Sequence, residues 1–79
     1  MYPVSTEKSI NLISKQNTLT FVVDKGMNKN QIKKEVEESY AVKVERVNIQ
    51  HTFQGKKRAF VKLSKESSAM DVASKLKIL

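Results

Sequence analysis

The chain has no cysteine, no tryptophan, one proline, two glycines and one histidine among its 79 residues. Without cysteine there is no disulfide staple, no thiol nucleophile and no thiolate metal site. Gly26 and Gly55 alone cannot build a glycine-rich loop to cradle a phosphate. His51 stands beside a polar turn with no serine or acid pattern around it, and reads as a solvated polar residue. Glu37 and Glu38 are neighbours, so on a helix they diverge and cannot work as an acid–base pair. The longest apolar runs, such as Phe21-Val22-Val23, span three residues, far short of the roughly 20 that cross a bilayer. No charged-then-apolar-then-small pattern opens the sequence, so no secretory leader is expected and the expected address is the cytoplasm. These absences predict no enzyme: no catalytic residues, no metal, no cofactor and no membrane insertion.

What the chain has is positive charge. Fifteen Lys and Arg against eight Asp and Glu give a formal net charge of +7 and a pI of about 9.8. An excess of that size in so small a chain points to a polyanionic partner, either nucleic acid or an anionic membrane surface. Only 39% of the residues are apolar, yet they recur regularly, which predicts a globular chain and not a disordered one. At this length roughly 60% of the unfolded surface can be buried, enough for one modest core, so residues 1–79 are expected to form one domain. The charge is also segregated. Residues 1–34 carry a net +4, residues 35–45 a net −3, and residues 46–65 a net +6 with no acid at all. A surface adapted only to water would mix the signs.

Local patterns give the element order. Thr6 followed by Glu7 predicts a helix start, with Ile10 and Ile13 as its apolar stripe and an end near Lys15. Thr18 to Val23 alternates as a strand with Leu19, Phe21 and Val23 on one side. Asn28 with Gln31 forms a capping-box pattern for a helix from about Lys29 to Ser39, with Ile32, Val36 and Tyr40 facing the core. Val42 and Val44 open a second strand, whose inward phase shifts to Val47 and Ile49. The two polar residues at the slip, Glu45 and Arg46, predict a bulge. His51 to Lys57, centred on Gln54-Gly55, reads as a turn, and Arg58 to Leu63 as a strand with Ala59, Val61 and Leu63 inward. Ser68 and Asp71 cap a last helix through Ala69, Val72, Ala73 and Leu76. A strand–helix–strand–strand run predicts an α+β fold, with the last strand inserted antiparallel between the two joined by the helix.

Two basic features stand out. Lys29, Lys33 and Lys34 crowd the start of the second helix, and Glu35, Glu37 and Glu38 its end. That is the reverse of what the helix dipole favours, at about 0.3–1 kcal/mol per charge at low salt. Free backbone N–H groups with lysines there suit phosphate; a charged solvent face is the plainer reading. Lys56-Lys57-Arg58, continuing to Lys62, is expected at a hairpin tip that can enter an RNA groove, although lysines on an exposed strand also discourage aggregation. Arg58-Ala59-Phe60-Val61 partly matches the central-strand signature of RRM domains, with Phe60 as the only ring and packing against a neighbour as its expected role. An RRM-like RNA-binding module is therefore the alternative reading.

In order, Thr6-Glu7-Lys8, Asn17 before Phe21 and Val23, Asn28-Lys29 with Ile32-Lys33, Val36-Glu37 and Tyr40, Val42-Lys43-Val44, Val47-Asn48, Gly55-Lys56-Lys57 and Ala59-Phe60-Val61 make a pattern that covers nearly the whole chain. It resembles the universal large-subunit ribosomal protein twenty-three family. Asn48 and Ala59 are eleven residues apart, which resembles the short archaeal form and not the long bacterial loop. The resemblance implies an added strand around Tyr2 to Val4 and a sheet of order 1-2-4-3 with packed helices. It implies a structural role in the large subunit, with binding to 23S-type rRNA at the rim of the polypeptide exit tunnel. Its implied partners are large-subunit protein twenty-nine and the signal recognition particle or other nascent-chain factors. By position, Thr6, Lys8, Asn17, Lys29, Lys33, Asn48, Lys56, Lys57, Arg58 and Lys62 would lie near rRNA, and Glu7 would meet docking factors.

Overall fold

The computed structural model describes residues 2–24, 26–51 and 56–76. Alternation of apolar and polar residues produces three of its strands, and helical spacing its three helices. The elements are β1 (Tyr2–Pro3), α1 (Glu7–Gln16), β2 (Thr18–Val23), α2 (Lys29–Tyr40), β3 (Val44–His51), β4 (Lys57–Leu63) and α3 (Ala69–Lys75). The strands form one antiparallel sheet in the order β1-β2-β4-β3. The α+β class expected from the sequence is the class observed. The three longer strands place the last between the two joined by α2, and the two-residue β1 lies outside β2.

One face of this sheet is the core. The register puts Leu19, Val61 and Val47 in one cross-strand row, and Phe21, Ala59 and Ile49 in the next. Phe21 and Ala59 are both fully buried, so a large ring is matched by a small cross-strand neighbour. Ile32 and Val36 of α2 and Ala69, Val72 and Ala73 of α3 cover that face, and Ile13 of α1 joins the same cluster. Tyr40 lies nearly parallel to Phe21, with centroids 6.1 Å apart and 17° between the rings. Its partial burial, and then the charge of Glu35, raise the phenol's pKa above the ordinary value.

The bulge appears where the phase slipped. Val44 pairs with Leu63 and Arg46 with Lys62, which leaves Glu45 as the extra residue. Its consequence is large, because a one-residue insertion flips every following side chain. Val47 turns to the core, and Arg46, Asn48 and Gln50 to the other face.

Three boundaries differ from expectation. The strand β3 begins at Val44 and not at Val42, because Ala41 ends α2 in the left-handed region at φ 54° and turns the chain first. The expected turn is also narrower. His51 and Lys57 are paired strand residues, since the ladder continues as far as its hydrogen bonds can be made. The centre of that turn, Gln54-Gly55, lies outside the described residues. Helix α2 runs one residue past Ser39, carried by the burial of Tyr40 against Phe21.

Ala41 supplies a direct stability prediction. An alanine Cβ in the left-handed region costs about 1–2 kcal/mol, and the extra unfolded-state entropy of glycine returns about 0.4–1 of it. Ala41→Gly should therefore stabilise the protein by about 0.5–1 kcal/mol, a rise in Tm of several degrees for a domain of this size. Thermal unfolding followed by circular dichroism measures it, and an unchanged or lower Tm contradicts it.

The second left-handed residue is a junction. Asn17, at φ 52°, caps α1. Its Nδ2 donates toward the carbonyls of Leu63, Ser64 and Ser67 at 3.4, 3.2 and 2.9 Å. Its Oδ1 accepts the Ala69 N–H at 2.7 Å. One side chain thus ties the end of α1 to the exit of β4 and the first turn of α3.

Candidate nucleic-acid interface

Among the described residues, no element covers the face of the sheet opposite α2 and α3 over β3 and β4. Three cross-strand rows form it. Thr18, Lys62 and Arg46 share one row, Thr20, Phe60 and Asn48 the next, and Val22, Arg58 and Gln50 the third. With a rise of about 3.4 Å per residue, Arg58 and Lys62 on β4 lie roughly 13–14 Å apart along the strand, with Phe60 midway between them.

Helix α1 forms one wall. It packs on β2 and α3, burying Ile13 and Ser9. Its residues at four-residue spacing, Lys8, Leu12 and Gln16, border the open rows instead. The helix is fixed there at its start. The Thr6 Oγ1 accepts the Ser9 N–H at 3.3 Å, and the Ser9 hydroxyl lies 2.9 and 2.8 Å from the carbonyls of Val4 and Thr6. Two shallow grooves result, one on each side of the half-buried Phe60. The larger, about 210 Å³, lies between the Leu12–Gln16 edge and Arg46, Asn48 and Lys62. The smaller, about 130 Å³, lies among Thr6, Lys8, Arg58 and Gln50.

Cations outnumber acids on this face, where Glu45 at the bulge stands beside Arg46. Arg46 stands directly opposite Lys62, a like-charge cross-strand pair that costs stability in the free protein. Among the described residues neither cation, nor Arg58, has a carboxylate partner; the ion pair present there is Lys43 to Glu66 at 3.3 Å, between exposed side chains. Cations without carboxylate partners, with a ring between Arg58 and Lys62 and amides beside it, suit a polyanion that also presents flat groups.

The structure gathers part of the expected set and separates the rest. Thr6, Lys8, Asn48, Arg58 and Lys62 meet on the open face and its wall. Lys29 and Lys33 are exposed on α2, which packs on the other face through Ile32 and Val36, so the sheet separates them from those five. The run Lys56-Lys57-Arg58 is divided. Arg58 belongs to the open face, whereas Lys57 stands in register with Val23 on the helix-covered side, as alternation along a strand requires. Lys56 is exposed just before β4. The Asn17 side chain is used within the protein. Glu7 is exposed in the first turn of α1.

Gln16 and Gln50 are members of this face that the sequence did not single out, and Arg46 and Phe60, read only as the start of a basic stretch and as a partial RRM match, join them. The signal existed, since a strand that buries Ala59, Val61 and Leu63 must present Arg58, Phe60 and Lys62 together. The bulge places Arg46 with Asn48 and Gln50 by the same alternation. Phe60 was expected against a packing neighbour; it lines both grooves.

The acidic end of α2 is also not uniformly free. Glu37 is half-buried, and its Oε2 accepts the Val44 N–H at 3.1 Å, closing the first backbone donor of β3. Removing it leaves that donor unmatched, so Glu37→Ala should destabilise the protein by about 1–2 kcal/mol. Glu38→Ala, at an exposed position, should change stability by less than about 0.5 kcal/mol. Urea unfolding of the two variants compares them directly, and equal effects would remove this role from Glu37.

Comparison with known proteins gives a consistent result. Residues 1–73 match the family model described as ribosomal protein L23. The chain is 53% identical over 76 residues to the large ribosomal subunit protein uL23 of Pyrobaculum aerophilum, covering 96% of this chain and 94% of that protein. It is likewise 53% identical over 76 residues to the protein of that name from Methanothermobacter thermautotrophicus, covering 96% and 88%.

Proposed function

The chain belongs to the ribosomal protein L23 family, and on that premise we propose that it is a structural, non-enzymatic constituent of the large ribosomal subunit in the cytoplasm. It acts as one RNA-binding domain whose open sheet face grips large-subunit rRNA. The observation that supports this reading most is the face on which Arg46, Arg58 and Lys62, none with a carboxylate partner among the described residues, surround Phe60. Phosphate contacts from these cations fix the position of the protein, and the Asn48, Gln50 and Thr6 side chains match the local shape of the folded RNA. Lys29 and Lys33, across the sheet, make a second and separate phosphate contact. Asn17 serves the interface from behind, by holding α1 against the sheet.

The finer placement is at the rim of the polypeptide exit tunnel, beside the large-subunit protein twenty-nine. Glu7, exposed one residue before the RNA-facing Lys8, is the docking position for the signal recognition particle or another nascent-chain factor. With the RNA on the sheet face, a carboxylate on the solvent side of α1 is free to meet a basic partner.

Sedimentation is the decisive experiment. The tagged full chain should remain with large subunits through a high-salt wash and enter reconstituted particles at one copy each. A protein that pellets only at low salt, in no fixed ratio, would instead be a free RRM-like regulator.

A further inference from the structure

We propose that the larger groove of the open face seats one unstacked nucleobase of the bound RNA, with the Phe60 ring as its platform. This rests on the reading that the open face binds rRNA, and adds to it the kind of RNA element recognised. Continuous duplex offers stacked, inaccessible base faces, whereas a loop or bulge offers a base that can leave the stack.

Three observations carry the inference. The first is position: Phe60 sits in the middle row, flanked along β4 by Arg58 and Lys62, so phosphates held on either side bring the intervening nucleotide over the ring. The second is space. The groove beside Phe60 measures about 210 Å³, and a cavity of about 150 Å³ is enough to admit benzene in a protein interior. Leu12 of α1 lines the same groove and adds a second apolar surface for an inserted ring. The third is the polar lining. The amides of Gln16 and Asn48 border the same groove and have no hydrogen-bond partner among the described residues. An amide offers both donors and acceptors, which suits the edge of a base and would be wasted on a phosphate.

An alternative use of Phe60, as packing for α1, makes a different prediction. Stacking acts on affinity without charge, so its loss must leave the salt dependence unchanged. The probe is the organism's own large-subunit rRNA transcribed in vitro, titrated with the full-length protein at several salt concentrations. Phe60→Leu preserves apolar volume, and its folding is checked by circular dichroism. It should weaken binding roughly fivefold or more, as expected for one stacked base, with the same logarithmic salt slope as the parent. Phe60→Tyr retains a ring and should bind within about twofold of the parent. Ultraviolet crosslinking of the parent complex, followed by mass spectrometry, should place a nucleotide adduct on Phe60.

Parent affinity retained in folded Phe60→Leu overturns the base seat, as does a crosslink map with adducts only on Lys and Arg. In either case the parent still binds rRNA, so the wider reading stands. A parent protein that does not bind rRNA overturns both. Where Phe60→Leu fails to fold, the crosslink decides alone.

Discussion

Asn17→Ala should lower the unfolding free energy by about 3–4 kcal/mol. The side chain makes four contacts within residues 63–69, two of them at 2.9 and 2.7 Å. Each sound hydrogen bond contributes about 1 kcal/mol net. The backbone at φ 52° adds about 1–2 kcal/mol when asparagine, which tolerates the left-handed region, is replaced by alanine, which does not. Asn17→Gly removes the side-chain bonds but not the conformational fit, so it should cost only about 2 kcal/mol. At about 4–8 °C per kcal/mol for a domain of this size, the alanine variant should lose more than about 10 °C in Tm. Alanine and glycine variants of equal stability would remove the backbone contribution. An alanine variant within about 0.5 kcal/mol of the parent would mean that the junction is not a clamp at all. Folded Asn17→Gly also separates stability from recognition: if the side chain serves only the interior, its rRNA affinity below the melting range equals that of the parent.

Only the family resemblance implied a place near RNA for Asn17, and the residues around it give no sign of this structural use. Its partners lie 46 to 52 residues away, and no local pattern encodes a hydrogen bond to a distant carbonyl. What was legible was whatever depends on near neighbours. The capping box at Asn28 and Gln31 is present with both bonds, at 2.9 and 3.0 Å. The inward residues of β2 and β4 are buried as their alternation requires, and the bulge at Glu45 appears as the phase slip indicated. The candidate face was half-legible for a different reason. Charge was read as runs along the chain, which joined Lys56, Lys57 and Arg58, whereas a strand distributes consecutive residues to opposite faces. Pairing across the sheet groups the cations instead, by uniting Arg46 with Lys62 and setting Arg58 beyond Phe60. The groove itself depends on where α1 lies against β2, a tertiary placement that residue periodicity does not specify.

Replacing Arg46, Arg58 and Lys62 together with Gln should weaken rRNA binding by about 100-fold or more near physiological salt, while the free protein becomes slightly more stable. The gain follows from relieving the directly opposed pair Arg46 and Lys62, worth a few tenths of a kcal/mol. The loss follows from phosphate contacts, since three charge-assisted contacts at about 1 kcal/mol or more each exceed two orders of magnitude in Kd. Counterion release adds a signature that a folding defect cannot imitate. Each lost contact lowers the slope of log affinity against log salt by roughly 0.7–0.9, so the triple variant should lie about 2–3 below the parent. The double variant Lys29→Gln with Lys33→Gln is the control for direction. It changes two cations on the helix-covered side of the sheet, and should reduce the slope by no more than about 1–2 and the affinity by at most about 30-fold, less than the triple variant. If the double variant removes binding and the triple variant retains it, the RNA lies against α2 and the open face serves another partner. If the triple variant alone collapses both affinity and slope, two opposed faces are assigned. The sheet then carries the main RNA contact, and the acidic end of α2 is left to whatever meets the particle from solvent. That division fits the reversed charges of α2, whose Lys29 and Lys33 make the second phosphate contact at its start while its acidic end stays clear of RNA.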